Sequence, residues 1–212
     1  MEGTTNIEEV KLLFGHNFIG VNELNEISRL FPICIPSTLP PVLYPLCKLE
    51  QYAKDYILIL GSDKLKNNQP LNLLSLREQF GVNPDTSEPC FYNQDWYMAE
   101  EFMKKTLELK WYLLKKEVLP DTRAEVPGNI LKKDILFPLA ILCAYTFFVF
   151  YFARKELLWY HDFIWCNDTD HNNDRIYVGK YNDIDGINKN GFSIHRHLSL
   201  RNCYGAINVE YM

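Results

Sequence analysis

ILFPLAILCAYTFFVFYFA, residues Ile135 to Ala153, is the stretch on which the reading of this chain turns. It carries no charge, and its length meets the minimum for a membrane-spanning helix. Lys132 and Lys133 precede it and Arg154 and Lys155 follow it, so the flanks favour neither orientation. Pro138, Cys143 and Thr146 interrupt it, and Ala140, Ala144 and Tyr145 are only weakly apolar. The aromatics crowd together as Phe147, Phe148, Phe150, Tyr151 and Phe152 instead of forming a belt at each end. A helix buried on all sides of a protein core has this composition. The stretch is therefore read as one long buried apolar helix, from about Asp134 to Trp159, with the membrane span as the minority reading.

Outward from that helix, the chain of 212 residues has room for one domain, with a two-lobe division conceivable near 120–128. Hydrophobic residues make up 47% and charged residues 23%, which excludes a disordered or fibrous chain. The net charge is −5, the wrong sign for a protein that lives by neutralising phosphates, so broad nucleic-acid binding is not expected. The start, Met1-Glu2-Gly3-Thr4-Thr5-Asn6, has neither a basic cluster nor an apolar stretch and does not read as a secretory signal. The 6 cysteines include no C-x-x-C pair, so zinc ribbons and thioredoxin-type redox pairs are not expected. Reduced thiols and a cytoplasmic location follow as expectations.

Before the apolar stretch, helices are expected over 6–14, 22–30, 46–54, 71–80 and 93–103. Tyr56 to Leu60 and the alternating run from Leu107 to Leu113 read as strands. Pro32, Pro36, Pro40, Pro41 and Pro45 hold the chain extended between them. After it, turn clusters at 167–174, 182–186 and 188–191 separate Ile176-Tyr177-Val178, Phe192-Ser193-Ile194 and the run from Cys203 to Tyr211. That is the signature of an antiparallel meander. The class is α+β: helices and a mixed strand set, then a C-terminal antiparallel meander.

Chemistry-bearing residues concentrate in this last part. His161, His171, His195 and His197 are four of the 5 histidines. On a strand His195 and His197 share a face, so both imidazoles are candidate ligands of one divalent metal, with Arg196 on the opposite face. Asp168, Asp170, Asn172 and Asp174 alternate as oxygen ligands do in calcium loops, but the sixth and twelfth places hold Asn173 and Gly179, which breaks the EF-hand pattern. His161, Asp162, His195, Arg196 and His197 are the candidate ligand-binding set. His197-Leu198-Ser199-Leu200 gives one His-x-Ser element, and the second copy that a two-histidine phosphoesterase needs is missing at His16 and His161. The helical acids Glu100 and Glu101 read as a solvated face. With no phosphate loop, nucleophile elbow or H-E-x-x-H, the chain reads as a protein that acts by binding. No cofactor is expected. The alternative is a metal-dependent, hydrolase-like enzyme built on the His-x-His pair.

Several phrases resemble a group of uncharacterised bacterial proteins. They are Asn93-Gln94-Asp95-Trp96-Tyr97 with Glu101-Phe102, Leu142-Cys143-Ala144-Tyr145-Thr146-Phe147-Phe148, and Trp159-Tyr160-His161-Asp162-Phe163-Ile164-Trp165-Cys166. The last runs on through Tyr177-Val178-Gly179 to Ile194-His195-Arg196-His197-Leu198. The resemblance implies a soluble protein around the apolar stretch and gives no residue a role.

Overall fold

The structure is a computed structural model that describes residues 6–181, 191–196 and 200–210. The fold is α+β. Two four-stranded sheets are bridged by one apolar helix. The first half supplies α1 (Ile7–Phe14), β1 (Phe18–Ile19), α2 (Val21–Glu26), α3 (Leu46–Tyr52), β2 (Tyr56–Leu60), α4 (Leu73–Phe80) and β3 (Trp111–Lys115). The second supplies α5 (Pro127–Leu131), α6 (Ala140–Arg154), β4 (Phe163–Thr169), β5 (Arg175–Tyr181), β6 (Gly191–His195), β7 (Tyr204–Gly205) and β8 (Val209–Glu210). One sheet has the order β1-β2-β3-β8 and the other β6-β5-β4-β7.

The decisive stretch folds as α6, a helix of 15 residues, shorter than the sequence predicts at both ends. Pro138 has no N–H to donate and pushes its predecessor away from helical angles. Leu139 is extended, at φ −72° and ψ 147°, and the helix begins only at Ala140. At the other end Lys155 turns left-handed, at φ 59° and ψ 28°. Ala140 through Phe150 are all buried, packed against α2, α4, β4 and β5. Phe148 stacks on Phe80 of α4 at 4.1 Å. The Tyr145 hydroxyl donates to the Leu60 carbonyl at the end of β2, 2.8 Å away. The helix thus holds both sheets, which is why it is apolar all round. Among the described residues, no helix is long and apolar enough to cross a membrane.

Other elements also depart from the sequence reading. Residues 93–103 form turns and a short 3₁₀ helix (Glu101–Lys104) in place of a full helix. The preceding Glu100 is extended, at ψ 144°, because its side chain is committed elsewhere. The antiparallel meander is β4-β5-β6, one strand earlier than expected. The run after Cys203 splits. Tyr204 and Gly205 pair in parallel with Phe163 and Ile164, and Val209 and Glu210 pair with Leu114 and Leu113 of the other sheet. The segment near 120–128 is fastened to that run. Thr122 Oγ1 accepts from the Ala206 amide at 2.9 Å, and the Ala124 amide donates to the Tyr204 carbonyl at 2.9 Å. One apolar core contains residues from Val10 to Val209, and a smaller cluster joins Ile130, Phe137, Phe163, Trp165, Tyr177 and Tyr204.

Candidate functional site

The β4–β5 hairpin carries the alternating acids, and its turn is built by one of them. Asp170 Oδ1 accepts from the amides of Asn172 and Asp174, at 2.9 and 2.8 Å. A side chain that satisfies the backbone two residues on is the usual way aspartate makes a tight turn. Asn173 takes the left-handed conformation, at φ 65°. The other oxygen, Oδ2, accepts from Arg196 at 2.7 Å. Burial raises the Asp170 pKa, but the Arg196 guanidinium and the two amides outweigh it and hold the carboxyl below the usual range.

Asp168, two residues earlier, turns to other partners. One oxygen accepts from the Ala140 amide at the first turn of α6, and the other from Lys105 Nζ, both at 2.6 Å. A carboxylate at a helix N-terminus satisfies an orphaned donor and meets the positive end of the dipole. The acids of the loop therefore serve separate networks, and Asn172 enters through its backbone.

Beside Asp170 lies Glu100, a buried acid that the sequence reading assigned to solvent. Its Oε1 is 2.6 Å from His171 Nδ1, and its Oε2 accepts the His171 amide at 3.0 Å. Arg196 also stands 4.0 Å from Glu100 Oε1. The guanidinium lies over the Trp96 ring at 4.5 Å, and Trp96 Nε1 donates to the Ile194 carbonyl. Glu100, Asp170 and His171 each offer a ligand atom, and these atoms lie within 4.8 Å of one another. Among the described residues this is the one such group of three.

The other candidate residues are held by other partners. Asp162 is held by a two-pronged pair to Arg123, at 2.6 and 2.8 Å. His161 is exposed and left-handed, at φ 66°, with its ring against Tyr160. The His195 ring packs edge-on to Phe163 at 5.5 Å and stacks on Tyr177 at 5.4 Å. Burial there pushes its pKa down to about 4. His197 falls outside the described residues.

A groove of about 360 Å³ is lined by Leu131, Leu136, Phe137, Leu139 and Asn167. Phe137 is buried, while Leu131 and Leu136 are 39% and 52% exposed. The Arg175 guanidinium lies over the Phe137 ring at 5.1 Å and donates to the Cys166 carbonyl. Burial pushes the Arg175 pKa down, only partly countered by Cys166 and Asp168. Neither Glu100 nor Arg175 stood out in the sequence.

No family model, curated protein or solved structure matches this chain.

Proposed function

We propose that this protein acts by binding, taking a short apolar segment that carries a carboxylate into the groove between Leu136 and Leu139. The observation that carries this reading is the exposed leucine pair, Leu131 and Leu136, over the buried floor of Phe137. Apolar side chains are normally withdrawn from water, and a cluster left at the mouth of a groove marks a contact surface. Lys132 is exposed and follows Leu131 of the lining, so it puts a cation one residue from the groove. An occupant with an apolar side chain and an Asp or Glu meets both features, the carboxylate being drawn by Lys132. All 6 cysteines stand as free thiols, which supports a reducing compartment and hence the cytoplasm.

The test is selection from a random peptide library displayed against the immobilised full chain. Enrichment of peptides with Leu, Phe or Met near an acid, lost when Leu136→Asp protein is used, supports the reading. No enrichment, or equal enrichment by wild type and Leu136→Asp, overturns it. Leu136 is half exposed, so that variant keeps the fold.

A further inference from the structure

We infer that Glu100, Asp170 and His171 form a binding site for a first-row divalent transition ion of the zinc type, and that Arg196 is the built-in cation such an ion displaces. The donor set is mixed, two carboxylates and one imidazole, a combination that suits zinc better than the all-oxygen cage calcium takes. The ligand atoms already lie within 4.8 Å of one another. Donors around a tetrahedral ion at about 2 Å stand about 3.3 Å apart, so small side-chain rotations close the set.

A second observation is that this focus already holds a positive group. Arg196 lies 2.7 Å from Asp170 Oδ2 and 4.0 Å from Glu100 Oε1. Both carboxylates are buried, at 0% and 7% side-chain exposure, and neither tolerates standing unpaired there. The guanidinium supplies one positive charge against two negative ones. A divalent ion balances both. His171, by contrast, is 64% exposed, so an ion reaches the set from solvent through the imidazole. Three protein donors leave a fourth position open, as in sites that bind water or substrate. When the ion enters, Arg196 loses Asp170 and leaves the Trp96 face on which it lies at 4.5 Å. The inference is independent of the groove, since none of these residues lines it.

The experiment titrates the full chain, kept reduced, with zinc chloride by calorimetry while tryptophan emission is followed. One equivalent is expected to bind. His171→Ala and Glu100→Gln are each expected to weaken it by about tenfold or more, while Arg196→Gln tightens it because the competitor is gone. Binding is expected to change the emission, and Trp96→Phe to remove that change. His171 is exposed, so His171→Ala retains the fold even if Glu100→Gln does not, and a thermal melt confirms it. Wild-type binding unaltered in His171→Ala assigns the ion to another place, such as the free thiols, and overturns the site. No binding by wild type, or weaker binding by Arg196→Gln, shows a closed ion-pair network and also overturns it.

Discussion

His195 gives the sharpest test of how this sheet is packed. Its ring is held between Phe163 and Tyr177, and burial lowers its pKa from 6.5 to about 4. In the unfolded chain the same histidine titrates near 6.5. Between these values the unfolded state binds a proton that the folded state refuses, so acidification favours unfolding. A folded pKa below the unfolded one means the contribution is fully present above about pH 6.5 and is lost as pH falls towards 4. At 1.36 kcal/mol per unit, the 2.5-unit difference amounts to about 3 kcal/mol. The assay is urea unfolding of wild type and His195→Phe at half-unit steps from pH 7 to 4. Phenylalanine suits the aromatic surroundings and cannot titrate. Wild type is expected to lose about 3 kcal/mol more than the variant across this range, with most of the gap opening below pH 6. Stability curves that run parallel would refute the reasoning and show that the imidazolium is accommodated.

Phe148→Ala is expected to cost about 3 to 5 kcal/mol, because its ring is fully buried against Phe80, Phe91, Phe147 and Phe192; chemical denaturation measures it, and a loss under 1 kcal/mol would mean that α6 is not the spine of the core. Asp168→Asn removes a charge that Lys105 and the Ala140 amide both use, and is expected to cost about 2 kcal/mol, read as a lower Tm. Lys105→Met is expected to cost less than Asp168→Asn, since Lys105 is 48% exposed while Asp168 is at 1%; the reverse order would place the lysine, not the helix cap, in control.

The buried apolar stretch and two strands of the meander, β5 and β6, were legible because burial leaves a periodic or continuous mark in the sequence, whereas β4 and the division of the run after Cys203 were not. α4 also ended where Gly81 said it would. The ends of α6 were harder. Pro138 signalled a start, but an uninterrupted apolar run hides where a helix stops, and the left-handed turn at Lys155 has no glycine to announce it. The region from Asn93 to Met103 carried helical spacing, yet Glu100 is drawn inward by His171 and Arg196 across about seventy and a hundred residues of chain. Tertiary pairing of that kind overrides local preference. The site shows the same divide. The acidic loop was visible as alternating aspartates, whereas the partners of those aspartates, Lys105, Arg196 and the Ala140 amide, arrive from three different elements. Sequence spacing conveys which donors are close along a strand and says little about which distant charges meet them.

The run from Tyr204 to Glu210 has a consequence for how the chain is made. Within a few residues it lays β7 along β4 and β8 along β3, closing one edge of each sheet. A ribosome delivers this segment after every strand it must cover. Until it emerges, β3 and β4 each present a row of unpaired amides and carbonyls, the kind of edge to which other chains add themselves. The nascent protein is therefore prone to clumping until this segment has emerged, and its yield in a cell depends on how long those two edges wait for the same short thread.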